Sequence, residues 1–268
     1  MRKLFVLNKE IDFDEFKKIH DAIIGGYFYL CKTCSSYFLS HLNRFLKSEH
    51  NVKNDIRKFI SGELTDAFKF LASILNLLKE NATYQATVLI RPTIESITCL
   101  IILFRNTDLI KECMKVKQKI SKFFNEYLND ENLKQGNKRK NKTKFLSNTE
   151  FSWANKIINE SPVRIHHLLK YINYENFNNL YWFFDAAIHN SMHFYGYKPA
   201  ELEFRFPISI VVFVLTLLKD LYNEIIKYCD QDLNFLNEVL FNTNSLFTEY
   251  LRRYGEFALN ISVELKQL

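Results

Sequence analysis

Apolar residues recur at helical spacing along most of this chain. Between residues 53 and 80, Ile56, Phe59, Ile60, Leu64, Phe68, Leu71 and Leu75 recur mostly at steps of three and four. That is the period of one helix face turned to a core. Residues 82–105 are apolar nearly all round, which predicts a helix in the middle of a bundle. Pro92 should kink that helix or mark its start. A long helical pattern covers 12–48, opened by Asp12 and Glu15 as acidic first-turn residues and bent at Gly25-Gly26. A more polar helix is predicted over 108–129. Helical signals resume near Glu150, and Ser161-Pro162 predicts a further start, with Ser as the cap and Pro in the first turn. The segment 181-YWFFDAAIHNSMHFYGY-197 falls in a predicted helix over 177–195, which Gly196 is placed to end. Residues 199–206 read as a loop, and helices over 207–229 and 232–266 complete the chain. No internal repeat is present.

Composition points the same way. Of 268 residues, 47% are hydrophobic, enough for a large core. Only 6 Gly and 4 Pro punctuate the chain, whereas a sheet protein of this length needs many more turns. The expected fold is all-α: a single-domain helical bundle over 1–268. One stretch breaks the pattern. Residues 132–149, NLKQGNKRKNKTKFLSNT, hold six Lys/Arg and no acid, so they account for the entire net charge of +6. They read as a basic loop insertion or linker.

No apolar run of signal-peptide length opens the chain. The most apolar run, 208-ISIVVFVLTLL-218, is too short to span a bilayer, and the longer 86–104 carries Arg91, Pro92 and Glu95. A cytoplasmic protein without membrane spans is expected. Five scattered cysteines suggest reduced thiols, and Cys31-x-x-Cys34, lacking a second pair, reads as packing. No glycine-rich phosphate loop, G-x-S-x-G or G-x-G-x-x-G occurs. Nucleotide-driven motors, Rossmann enzymes and α/β-hydrolases are thereby disfavoured, and no cofactor is expected.

Candidate chemistry lies on two apolar helices. Tyr181, Asp185, His189 and His193 recur every four residues, so they share one helical stripe. Two imidazoles and a carboxylate at that spacing can hold a metal ion. They can also exchange protons near neutral pH, or they can bond to one another as internal scaffolding. The zinc-protease pattern needs a Glu beside the first His, and here that place is Asn190. Arg91 and Glu95 form a second pair one turn apart, readable as an internal salt bridge or as half of a site. The two helices suit each other, Arg91 pairing with Asp185 and Glu95 orienting an imidazole. Lys138, Arg139, Lys140, Lys142 and Lys144 can attract a phosphate backbone, or form a solvated loop. His166 and His167 are adjacent, so they point about 100° apart and do not share one face well; either can border a site, but the spacing itself carries no mechanism.

The R-x-x-x-E of Arg91 and Glu95, followed by Y-x-x-x-D-x-x-x-H of Tyr181, Asp185 and His189, resembles a group of uncharacterised bacterial helical proteins. Those carry R-x-x-x-E and later Y-x-x-x-S-x-x-x-H, so Asp185 stands where they have Ser. The resemblance covers residues 60–225 and implies an all-α fold with no assigned activity. More distantly, 189-HNSMH-193 is similar to the motif of HEPN proteins. These are small helical bundles, many of them metal-independent ribonucleases of toxin and antiviral systems. Their motif is an Arg, often followed by Asn, with a His after four to six intervening residues. Here His189 stands in the Arg place and the spacing is shorter. This likeness implies that His193 or His189 acts as base toward a ribose 2′-hydroxyl. It implies too that Arg91 stabilises phosphate charge, and that the site forms across a homodimer.

The expectation is therefore a HEPN-like, metal-independent endoribonuclease effector. Arg91, Glu95, Asp185, His189 and His193 surround one cleft, lined by Tyr181 and Asn190, and the basic segment draws RNA in. The alternatives are a non-catalytic helical interaction module, whose polar stripe is scaffolding, and a metal-dependent hydrolase built on Asp185, His189 and His193.

Overall fold

The computed structural model describes residues 3–6, 9–12, a set of helical positions between 15 and 33, and residues 50–79, 82–129, 144–146, 148–174, 214–227 and 234–264. Among these the chain is all-α apart from one short hairpin. In it β1 (Lys3–Val6) pairs antiparallel with β2 (Lys9–Asp12), Val6 opposite Lys9 and Lys3 opposite Asp12. Asp12 thus closes a hairpin where the sequence suggested a helix start; the described helical backbone begins at Glu15.

The helices are α1 (His50–Lys79), α2 (Thr83–Arg105), α3 (Ile110–Asn129), α4 (Ile165–Tyr171), α5 (214–226) and α6 (Asn234–Glu264). The first two form the main packed pair, and α4 lies against α2. The α1 stripe read from the sequence faces this contact, with Ile56, Ile60, Leu64, Phe68 and Leu71 all buried. From Ile97 to Phe104 every side chain of α2 is buried. That is why its sequence shows so little polar face: it has neighbours on all sides. Pro92 sits inside α2, which continues through it. The carbonyl that loses its helical partner belongs to Val88, an exposed position. Asn106 ends the helix, its amide Nδ2 and its backbone N–H both donating to Ile102 O, at 3.0 and 2.9 Å. A short 3-10 turn, Thr107–Leu109, then redirects the chain into α3.

The chain leaves α3 at Asn129 and is back on its surface by Phe145, whose ring stacks on Phe123 with centroids 4.1 Å apart. Lys119 Nζ lies 5.8 Å above the same ring, a cation–π contact. A 3-10 turn, Ser152–Lys156, then buries Trp153 and Ala154 and packs against α3.

Ser161-Pro162 does not begin a helix. Val163 is buried and Arg164 is extended, and α4 starts at Ile165. The cap is His167, whose Nδ1 accepts the Arg164 N–H at 3.2 Å. Burial of Val163 and Ile165 set the start of the helix, overriding the local Ser-Pro signal.

The carboxyl end of α2 is tied to α5 by charge. Arg105 Nε donates to Glu224 Oε1 at 2.8 Å, and Lys227 Nζ to Glu224 Oε2 at 2.6 Å. Beside them Tyr174 donates to Asp220 at 2.5 Å, and burial together with this bond raises the phenol's pKa. No helix among the described residues is long and apolar enough to cross a membrane.

Candidate functional site

Arg91 and Glu95 are the charged residues in the interior of α2. Arg91 Nε donates to Glu95 Oε1 at 2.9 Å. The flanking Ile90, Ile94 and Ile97 are buried, yet the pair keeps 27% and 17% of its side-chain surface open. The helix spacing foreseen from sequence therefore does bring this arginine and this carboxylate together, at the margin of the core.

A second carboxylate joins them from a distant part of the chain. Glu150 follows the short helical stretch that returns to α3. Its carboxyl is pushed up to about 7, first by burial and then by the negative charge of Glu95. Arg91, Lys117 and Arg164 work in the opposite direction. Glu95, Arg91, Lys117 and Arg164 thus each bear on the charge of Glu150, and among them Arg91 and Glu95 are in direct contact. A carboxyl that titrates near neutrality can give or take a proton at working pH.

Lys117 links these charges to an open groove. Its ammonium is ion-paired with Glu63 of α1 and lies 5.6 Å over the Phe59 ring. Burial works to lower its pKa, but Glu63 and the nearby thiols of Cys99 and Cys113 outweigh that and raise it. Both thiols are free and buried, and burial raises their pKa, that of Cys113 to about 12. They are packing groups, not nucleophiles. The groove runs between α1 and α3, holds about 450 Å³, and is lined among others by Lys58, Phe59, Met114, Lys117 and Ser121.

His166 and His167 have ring centroids 4.0 Å apart. Burial and then the charges of His167 and Arg164 lower the His166 pKa. Among the described residues no group of His, Cys, Asp and Glu could hold a metal ion. Of the basic residues singled out in the sequence, Lys144 is described and exposed. Lys138, Arg139, Lys140 and Lys142 lie outside the described residues, as do Tyr181, Asp185, His189, Asn190, His193, Cys31 and Cys34. The contacts expected between Arg91 and Asp185 and between Glu95 and an imidazole fall there too.

Sequence reasoning missed Glu150 and Arg164. The signals were faint: Glu150 is the first acid after an acid-free run, and Arg164 immediately precedes Ile165 and the two histidines. Nothing local connects either to α2.

No protein-family model, no curated protein and no solved structure matches this chain.

Proposed function

We propose that this chain is a metal-independent endoribonuclease of HEPN-like type, with its reacting phosphate bound beside the Arg91–Glu95 pair. The observation that carries the reading is that pair itself, an arginine and a carboxylate in contact and partly open beside the buried Ile90, Thr93, Ile94 and Ile97. Glu150 and Arg164 add a proton-transferring group and a second guanidinium. In the proposed reaction a base, His189 or His193, takes the proton of a ribose 2′-hydroxyl. The oxygen attacks the adjacent phosphorus, forming a 2′,3′-cyclic phosphate. Glu150 gives its proton to the departing 5′ oxygen, while Arg91 and Arg164 balance the phosphate charge.

The test is cleavage of labelled single-stranded RNA and tRNA by purified protein, with and without EDTA. Cleavage that survives EDTA is expected. It should fall roughly 100-fold in Arg91→Ala and roughly 100-fold or more in Glu150→Gln. No cleavage by folded wild-type protein would overturn the reading.

One observation favours a second reading. Arg91 and Glu95 already satisfy each other at 2.9 Å, as a scaffold would require. In a non-catalytic helical interaction module, the cluster sets how α2 meets α3 and the 150–164 connection. Inactive wild type together with markedly less stable variants would select that reading.

A further inference from the structure

Outside the candidate site, the strongest concentration of one charge among the described residues is on α3. The helix carries five lysines against two glutamates. Lys111, Lys115, Lys119 and Lys122 follow one another at steps of four, four and three, which places them on one stripe. The row is about 16 Å long, with charges at roughly 5–6 Å intervals. Lys115, Lys119 and Lys122 are exposed, and Lys111 is half-buried.

The glutamates do not neutralise the stripe. Glu112 is shared by Lys115 at 3.5 Å and Lys156 at 3.7 Å, and Glu126 lies 3.9 Å from Lys122. Lys115, Lys122 and Lys156 are largely exposed, and such surface pairs hold their partners weakly. Two flanking features extend the row. On one side the Phe145–Phe123 stack returns the chain, bringing exposed Lys144 back to α3. On the other side lies the α1/α3 groove, whose charged lining is Lys58 and Lys117 with Asp55 and Glu63, beside the Phe59 ring. Lys117 is also within electrostatic reach of Glu150.

We propose that the α3 lysine stripe, with Lys144, holds the phosphate backbone of single-stranded RNA and leads it past Lys117 toward the Arg91–Glu95 pair. The proposal rests on the ribonuclease reading and names the surface that would deliver its substrate. A row of ammonium groups suits a chain of phosphates, not a single anion. The groove beside it holds the Phe59 ring with Lys117 over it, an aromatic and a cation together as sites for single strands combine them. The positions around Lys122 on the groove side are Gln118, Ser121, Asn125 and Glu126, polar and partly acidic, whereas a face that binds anionic membrane carries apolar residues on that side of its lysines.

The test is fluorescence anisotropy of a labelled single-stranded RNA over a salt series. The proteins are wild type, Lys115→Glu/Lys119→Glu/Lys122→Glu, the same triple change to Gln, and Arg91→Ala, each checked by a circular-dichroism melt. Wild type is expected to bind with affinity that falls as salt rises. The Glu triple variant should bind at least tenfold more weakly at low salt. The Gln variant should lower the slope of log affinity against log salt by about 2, three contacts at about 0.7 each. Unchanged affinity and slope in both folded triple variants would overturn the track. So would wild type that ignores RNA but binds phosphatidylserine vesicles or an acidic peptide. The same samples separate the two proposals. RNA binding weakened by the lysine changes, with no cleavage by wild type, removes the ribonuclease reading and leaves the track. Cleavage lost in Arg91→Ala, with full RNA binding by the triple variants, does the reverse.

Discussion

Gly26 faces Thr243 so closely that a Cβ added at the glycine would lie 2.1 Å from the threonine Oγ1. Thr243 is buried in α6, so helical backbone from the first part of the chain rests directly on a helix more than two hundred residues later. Its neighbour Gly25 meets nothing within 4 Å. The two glycines look alike in the sequence, where the pair suggests a bend. In the structure both are helical, and they differ in what they touch.

Opposite outcomes are therefore expected from one substitution. Gly26→Ala should destabilise by roughly 1–3 kcal/mol through overpacking, and Thr243→Ala in the same chain should restore part of the loss. Gly25→Ala should stabilise by about 0.5–1 kcal/mol, since alanine is the better helix former. Chemical denaturation of the four proteins checks both signs.

A second pair of opposite signs lies within α2. Thr93 and Thr98 are both fully buried. Thr93 Oγ1 donates to Leu89 O at 2.6 Å, while Thr98 Oγ1 has no hydrogen-bond partner. Thr93→Val should cost about 0.5–1 kcal/mol, and Thr98→Val should gain up to about 1 kcal/mol by removing an unsatisfied hydroxyl. Equal effects in thermal melts would contradict the assignment.

Glu150 makes stability depend on pH. Its folded-state pKa of about 7 lies above the ordinary carboxyl value of 4.5. Between those values the folded chain binds the proton more tightly than the unfolded chain, so the stabilisation is present below about pH 4.5 and is lost as pH rises through 7. The loss is at most about 3 kcal/mol. Glu150→Gln should flatten this part of the profile and be more stable than wild type at pH 8. Denaturation midpoints across pH 4 to 8 read the difference. A wild type that gains stability across that window because of Glu150 would reverse the sign.

Arg105 is expected to matter more for stability than an ordinary surface arginine. It donates to Glu224, whose side chain is only 8% exposed. Arg105→Met should cost roughly 1–3 kcal/mol by leaving that carboxylate with Lys227 as its remaining cation. Lys115→Met, which removes an exposed pair on α3, should change stability by less than about 0.5 kcal/mol. Paired unfolding curves compare the two.

Much of the helical framework was legible because hydrophobic period is a local property. Steps of three and four gave α1 to within three residues, and the all-round apolar run gave α2 to within one. The i,i+4 spacing also sufficed to pair Arg91 with Glu95, since both lie on one helix and the helix alone sets their distance. The basic run over 132–149 was legible as charge but not as structure: its described end, residues 144–146 and 148–149, is helical rather than loop, and residues 130–143 lie outside the described residues. Other features were decided only by parts of the chain far apart in sequence. Glu150, on the turn that follows the Phe145–Phe123 stack, feels the charges of Glu95 and Arg91 more than fifty residues earlier, and no spacing rule encodes that influence. The start of α4 moved to Ile165 because Val163 is buried, a tertiary demand stronger than a Ser-Pro signal. Gly26 became indispensable through Thr243, while Gly25 did not. Local periodicity specifies which residues turn inward. Which inward residues meet, and hence which charges must share a site, depends on long-range packing that only the folded chain supplies.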